Sequence, residues 1–378
     1  MQKAEVAAAR SRVDELDIVK AVAIILMVMD HSGASFQVFL WKFHMAVFFI
    51  ASGFFFKESS SDSIQSVSRF IQNRFRRNWI PFFVWNAVFV FLHNVLAGIN
   101  IFPAGVAADA YPVQEIYSLR EIVIRIAKGA LFSYKEPLIG GFWFFKILFL
   151  VSCAYCVMDY LLKKWVRDRY LNGMILQLIV SFLFLAFGYM CSVRHLDLHG
   201  LEFIGSYYCL YYFGCLFHKA REKIPRPGWP ICLLISVAAF GALCWLYPRG
   251  WIGYNKNDYT TPQYMLACAV TGWLMVYGAS VVLNRIPVIR RILIGIGKRT
   301  VFVLILHLPA LKLVEIAEAY LYRQPIFGLA SGPHLHGGGA HLVIYTIIGT
   351  GIPIVIGIIY QHVKKKVVQK TTISKKMK

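Results

Sequence analysis

The chain has 378 residues, of which 58% are hydrophobic and 16% charged, and its formal net charge at pH 7 is +21. A soluble protein is typically about 45–50% apolar and about 25% charged, so this composition excludes an ordinary soluble domain. The basic residues lie mostly in short segments between apolar runs, where the positive-inside rule accounts for them, and we expect no nucleic-acid partner. The 8 cysteines fall mostly within apolar runs, so we expect core residues and no metal or redox site.

About ten apolar runs follow one another along the chain, several of them near the roughly 20 residues that a bilayer core of about 30 Å requires of a helix. Their approximate bounds are 18–36, 39–56, 79–97, 142–162, 174–190, 203–218, 230–247, 264–283, 300–317 and 341–361. Such runs are too long and continuous for the strands of a transmembrane barrel. The sequence therefore predicts an all-α, polytopic membrane bundle of about ten transmembrane helices.

Lysine and arginine are unevenly divided between the two sides of this predicted bundle. The richer side includes both ends of the chain, whereas Lys42 belongs to the poorer, outer side. Both termini are therefore predicted to be cytoplasmic. We divide the chain into an N-terminal tail (1–16), a transmembrane domain (17–362) and a basic C-terminal tail (363–378).

The segments between the runs also carry patterns. Residues 63–77 read as an amphipathic basic helix at the inner surface. The longest loop, 98–141, contains a helix-like stretch at 119–131, and a second loop, 320–340, is rich in glycine and histidine. Both loops are predicted to lie outside and to shape an acceptor site.

Ionisable residues inside a membrane span are costly and are therefore functional candidates. In the first span, Lys20 and His31 lie within about 20° of one helix face and about 16 Å apart along the axis. This spacing puts Lys20 at the cytoplasmic rim and His31 past the midplane. Asp30 is rotated by about 100° and need not share the partner of His31. The alternatives are a lysine that snorkels and a histidine bonded to a neighbouring helix.

The second span begins with His44, at a depth similar to that of His31 if the two spans form a hairpin. Two histidines at matched depth indicate a shared polar cavity. Further along this span, Ser52 and Gly53 interrupt a run of phenylalanines and mark a place where a helix or a ligand approaches closely. Both interpretations stay open.

Two later segments contribute further candidates. Arg74 and Arg77 are spaced i, i+3 where the third span begins, and arginine forks suit phosphate, although positive-inside charge explains them equally. His307 lies near the middle of the ninth span and needs a buried partner or a watery cavity. Trp143 follows a Gly-Gly pair at the start of the fourth span.

The order and spacing of these elements resemble the membrane-bound acyltransferase-3 family. The elements that carry the resemblance are Lys20-x10-His31, the Phe-His-x3-Phe-Phe-x2-Ser-Gly pattern in 43–54, Arg74-x2-Arg77, and Gly297-x2-Thr300 followed by His307. The second of these is similar to the branch that contains fucose 4-O-acetylases. Threonine stands where the family usually has serine, and lysine stands at position 20 where arginine is commoner.

The resemblance implies a bacterial, multi-pass O-acyltransferase of the cytoplasmic membrane. Such an enzyme moves an acetyl group from acetyl-CoA to a carbohydrate hydroxyl, with no tightly bound cofactor and no metal. Lys20, Arg74 and Arg77 are then expected to hold the phosphates of the donor.

His31 is expected to be the general base, because a histidine titrates near neutral pH. His44 and His307 are expected to assist it, in a cavity to which Asp30, Ser52 and Trp143 also contribute. Transfer is either direct or through an acyl-enzyme. The sequence alone leaves two other functions open, a secondary transporter of a small polar or anionic solute and a non-catalytic membrane scaffold.

Overall fold

The computed structural model describes residues 2–99, 101, 116–166, 171–225, 227–323 and 339–376, and this part of the chain is almost entirely helical. The helices, in chain order, are α1 (Gln2–His31), α2 (Gln37–Trp41), α3 (His44–Phe54), α4 (Ile64–Arg74), α5 (Ile80–Gly98), α6 (Leu119–Ala130), α7 (Trp143–Trp165), α8 (Leu171–Val193), α9 (Leu201–Lys223), α10 (Trp229–Leu246), α11 (Pro262–Leu283), α12 (Pro287–Gly297), α13 (Thr300–Leu321) and α14 (Gly339–Lys376). Two short antiparallel strands, β1 (Ile252–Gly253) and β2 (Asp258–Tyr259), form a hairpin between α10 and α11. The predicted helical bundle is confirmed.

Within the described residues, 8 segments are long and apolar enough to cross a membrane. They are Gln37–Phe54, Ile64–Gly98, Trp143–Trp165, Gly173–Val193, Trp229–Arg249, Pro262–Leu283, Thr300–Leu321 and Gly339–Lys366. Two further predicted spans correspond to α1 and α9, of 30 and 23 residues. The count of about ten and the cytoplasmic placement of both termini stay predictions.

The predicted boundaries between the tails and the bundle fall inside helices. The first helix, α1, is continuous through residue 16, and the last helix, α14, is continuous through residue 362. The two tails therefore extend helices of the bundle.

A close backbone contact in the core joins α3 to α9. A Cβ atom added to Gly53 would overlap the backbone carbonyl of Tyr211, and one added to Gly214 would overlap that of Ile50. The thiol of Cys215 donates to the Gly53 carbonyl oxygen at 3.2 Å. At this pair of glycines the two backbones touch, so Gly53 serves helix packing.

Two amphipathic helices lie at the end of the bundle where α3 finishes. The predicted basic helix at 63–77 is confirmed as α4, which ends in a π-helical turn, Phe75–Trp79. The second helix, α12, was not predicted, because its arginines were attributed to a short loop between two membrane spans. It packs on α1, where the Gly297 backbone touches Asp17 and Arg290 pairs with Asp14 at 2.5 Å.

A buried polar cluster fixes the long loop between α5 and α7. Its stretch at 119–131 is the helix α6, as predicted, with a capping box between Ser118 and Glu121. Past this helix, fully buried Glu136 contacts His93 Nδ1 at 3.1 Å and accepts from the Tyr134 hydroxyl at 2.8 Å. These contacts tie the loop to α5, and burial raises the pKa of Tyr134.

The loop between α10 and α11 folds over the other end of the bundle. Its Tyr254 carbonyl accepts from the Tyr207 hydroxyl of α9 at 2.6 Å. The ammonium group of Lys42 donates to the Gly250 carbonyl at 2.6 Å and lies 5.5 Å from the ring centre of Trp251. The sequence placed Lys42 among the charges of the outer side, and this loop covers it and leaves it 1% exposed.

Part of the predicted outer surface lies outside the described residues. This applies to 102–115 in the first long loop and to 324–338, which hold the glycines and histidines of the second.

Candidate active site

A cavity of about 660 Å³ opens beside the end of α1 and contains several of the predicted residues. Its wall includes Asp30 and His31 from α1, His44 from α3 and Trp143 from α7. The two histidines that the sequence placed at matched depth therefore line one cavity. This volume is in the range of about 300–1,000 Å³ that is usual for small-molecule sites.

His31 stands against a second imidazole. Its ring centre lies 5.1 Å from that of His307, with the two planes tilted by 39°. His307 itself is 1% exposed and is not among the residues that line the cavity. It lies behind the wall, since a Cβ atom on the lining residue Gly141 would be 3.6 Å from its Cε1.

The contacts of His307 determine which of its nitrogens carries the proton when the ring is neutral. Its Nδ1 lies 3.0 Å from the carbonyl oxygens of both Val303 and Leu304. A carbonyl oxygen only accepts, so Nδ1 is the donor and Nε2 is left with a lone pair. Nε2 is buried and has no hydrogen-bond partner among the described residues. A buried acceptor nitrogen thus lies in the ring beside His31.

Asp30 pairs with a different histidine. One of its oxygens accepts from the Trp41 indole at 2.6 Å, and the other lies 3.9 Å from His44 Nε2. The opposite nitrogen of His44 donates to the Leu40 carbonyl at 2.7 Å. Two separate pairs therefore stand at the cavity: His44 and Asp30 both line it, and His31 lines it with His307 behind the wall.

The predicted donor residues gather at the opposite end of α3. Lys20 pairs with Asp17 at 2.6 Å, and its ammonium lies 5.5 Å from the ring centre of Phe55, the residue after α3. Arg74 donates to the Ser52 hydroxyl at 3.4 Å and to the Tyr211 hydroxyl at 3.2 Å. Both cations thus meet the last turn of α3, while His44 begins the same helix.

Arg77 differs from Arg74 in its surroundings. Arg74 closes α4 and is partly buried, whereas Arg77 lies in the π-helical turn and is exposed. The expectation that the two share a helix face assumed a regular α-helix, which the π-turn interrupts. Ser52 also lies away from the cavity, about two helical turns from His44, and its hydroxyl accepts a hydrogen bond from Arg74.

Comparison with known proteins gives one match. Residues 13–360 match the family model of an acyltransferase domain, that of the acyltransferase-3 family. The chain belongs to the acyltransferase-3 family. No curated protein and no solved structure gives a match. Family membership shows a membrane acyltransferase and leaves its donor and acceptor to be argued from the site.

In this acyltransferase the sequence reading missed one wall of the cavity. That wall comes from the loop between α10 and α11 and includes Trp251, Tyr254 and Lys256. Trp251 meets Trp41 edge to face with ring centres 5.2 Å apart. The sequence does show that this loop is rich in aromatic and polar residues. It does not show that these residues face the cavity, because that depends on the folded hairpin.

The described part of this acyltransferase contains no cluster of three or more histidine, cysteine, aspartate or glutamate residues with metal-binding geometry.

Proposed function

We propose that this protein is an O-acetyltransferase of the bacterial cytoplasmic membrane. It would transfer an acetyl group from cytoplasmic acetyl-CoA to a hydroxyl of a cell-surface or lipid-linked carbohydrate. The proposal includes the ten-span arrangement with both termini in the cytoplasm, because that topology puts the donor residues on the side where acetyl-CoA is found. Family membership supports the acyl-transfer chemistry.

The observation that carries the proposal is the His31–His307 pair at the wall of the cavity. In the proposed step, His31 takes the proton of a sugar hydroxyl while the oxygen attacks the thioester carbon. The carbon–sulfur bond then breaks, and the leaving thiolate takes the proton back from His31. The products are an O-acetyl sugar and free CoA. His307, whose ring lies beside that of His31, would assist it.

The cavity wall supports a carbohydrate acceptor. Trp41, Trp143 and Trp251 supply apolar ring surfaces, and Asp30 and Lys256 supply polar groups between them. Sugars present the same combination of apolar C–H faces and hydroxyl edges. His44, held by the Leu40 carbonyl and next to Asp30, is suited to orient the hydroxyl that reacts. The resemblance of 43–54 to sugar O-acetylases agrees with this acceptor class.

The donor would bind at the other end of α3. Lys20 and Arg74 both contact the last turn of α3, and Arg77 is exposed in the π-helical turn that follows α4. Guanidinium and ammonium groups are the usual partners of phosphate oxygens, which CoA carries. The pantetheine arm would extend from these cations toward His31, a distance of about 16 Å along α1.

The test uses purified protein in detergent with labelled acetyl-CoA and a panel of glycans. We expect label to appear on a glycan with the wild type and to fall at least a hundredfold with His31→Ala. His362→Ala changes an exposed histidine of α14 and should leave the rate unchanged. Full activity of His31→Ala would show that the base is another group. Transfer without a membrane gradient would also exclude a transporter as the sole function.

A further inference from the structure

A second cavity, of about 540 Å³, adjoins the first at the same end of the bundle. Four residues line both cavities, and they are Trp143, Asn255, Lys256 and Asp258. Trp143 thus stands between the two spaces as a shared wall.

The chemistry of the second cavity differs from that of the first. The histidine pairs belong to the first, while the second is lined by three lysines and three acidic residues. These are Lys135, Lys146, Lys256, Asp197, Glu202 and Asp258. Their formal charges cancel, so the cavity offers many donors and acceptors with no net charge. Such a lining suits hydroxyl groups, each of which donates one hydrogen bond and accepts others.

Several of these polar groups are held in place before any ligand arrives. One carboxylate oxygen of Glu202 accepts from the backbone N–H groups of Leu198 and Gly200, at 3.1 and 2.9 Å. Asp197 accepts from the N–H of His199 at 2.8 Å. These two carboxylates are therefore positioned in advance, and preformed polar groups lower the cost of binding a matching ligand.

Two helix ends also line this cavity. His195 and Asn257 have φ angles of 50° and 52°, a left-handed backbone that is common at helix C-termini and is tolerated by asparagine and histidine. His195 follows α8, where the Leu196 N–H donates to the Cys191 carbonyl, and Asn257 ends the helical turn Tyr254–Lys256. The two residues come from different loops that meet at the same cavity.

We propose that the second cavity binds a further, uncharged sugar unit of the acceptor while the reacting unit occupies the cavity of His31. The acceptor is then an oligosaccharide or longer glycan of at least two units, which crosses Trp143. This inference rests on the proposed function and specifies its substrate class.

The experiment compares acceptors of one, two and three neutral sugar units, and a two-unit acceptor whose non-reacting unit carries a carboxylate. The variants Lys146→Met and His195→Gly alter residues that line only the second cavity. Glycine is chosen at 195 because it keeps the left-handed backbone without strain. The matched controls are Lys128→Met and Arg194→Ala, which are exposed and line neither cavity.

In the wild type, kcat/KM should rise at least about tenfold from one unit to two, the factor expected from one or two added hydrogen bonds. It should be lower for the charged two-unit acceptor than for the neutral one. Lys146→Met and His195→Gly should lose about tenfold with two units and nothing with one. Tryptophan fluorescence should report the same order of affinities without turnover.

Three other results would contradict these expectations, and each has its own meaning. Equal use of one-unit and two-unit acceptors by the wild type would overturn the second sugar site and leave the proposed function standing. Equal losses on both acceptors would show that the substitutions at Lys146 and His195 disturb the fold, and would count against a second sugar site. If the wild type acetylates no glycan of any length, the proposed function itself fails, and this inference fails with it.

Discussion

His31 and His307 come from the first and thirteenth helices and stand with their ring centres 5.1 Å apart. The first lines the cavity, and the second is buried behind it with an acceptor nitrogen that has no partner among the described residues. One imidazole is thus accessible to a substrate, while the other is shielded from it. In the proposed function, His31 transfers the proton and His307 assists it from behind the wall.

Replacing His307 by phenylalanine tests that division of roles. His307→Phe keeps a ring behind His31 but removes both nitrogens, so packing is retained and the acceptor is lost. We expect kcat to fall between about tenfold and a thousandfold while KM for acetyl-CoA is unchanged. Initial rates with labelled acetyl-CoA measure this, with His362→Phe as the exposed control. A variant with wild-type kcat would mean that the contact is packing alone.

The two arginines of the Arg-x-x-Arg element should not contribute equally. Arg74 is partly buried against the last turn of α3, while Arg77 is exposed. Arg74→Ala should therefore weaken binding of a CoA thioester more than Arg77→Ala does, and exposed Arg76→Ala is the control. The loss should be larger at low salt, because salt screens the attraction to phosphate. Equal losses at both positions would contradict the assignment of Arg74 as the main contact.

The glycine contact between α3 and α9 should tolerate no added side chain. In Gly53→Ala the new methyl group would overlap the Tyr211 carbonyl, and backbone cannot move aside as a flexible side chain can. Overpacking of this kind typically costs about 1–3 kcal/mol. Gly241→Ala is the matched control, since nothing lies within 4 Å of its Cβ position. Thermal unfolding in detergent should show a lower midpoint for the first variant, and an equal midpoint for both would refute the contact.

A pH-dependent contribution to stability is expected where Glu58 pairs with Lys219 at 2.6 Å, just past the end of α3. The hydrogen bond from Lys219 lowers the pKa of Glu58 below its usual 4.5. A carboxyl group with a lowered pKa stabilises the fold above that usual value and loses this effect as the pH falls through the folded value. Glu58→Gln should therefore lower the unfolding midpoint near neutral pH and approach the wild type in acid.

A double-mutant cycle with Lys219→Met isolates the pair from other effects of each change. Both side chains are substantially exposed, so the coupling should be small and should decline with salt. A coupling that persists when Glu58 is protonated in the folded protein would rule out this pair as its source.

The helices were predictable because each apolar run is long and is bounded by charge or glycine. The amphipathic α4 and the capped α6 were also predictable, because an amphipathic pattern and a helix cap are local features of the sequence. In contrast, α12 was missed, because its arginines resemble those of an ordinary cytoplasmic loop. Its helix is stabilised by contacts with α1, from the other end of the sequence.

The site was predictable only where two of its residues share one hairpin. His31 and His44 could be matched in depth because the turn between their helices is short. The place of Lys42 depends on Gly250 and Trp251, about two hundred residues later, and no local pattern encodes that contact. The same holds for the loop that closes the cavity and for the second cavity beside it.

The seating of α3 on α9 has a consequence for the choice of donor. Backbone touches backbone at Gly53 and Gly214, so α3 has no room to slide, and the separation of its two ends is constant. His44 begins the helix, and Ser52, the partner of Arg74, lies about 12 Å further along it. The packing of α3 on α9 therefore fixes the distance between His44 and the contact of Ser52 with Arg74. If Arg74 holds the thioester as proposed, a pantetheine arm of a different length would place its acyl carbon short of the imidazole or beyond it.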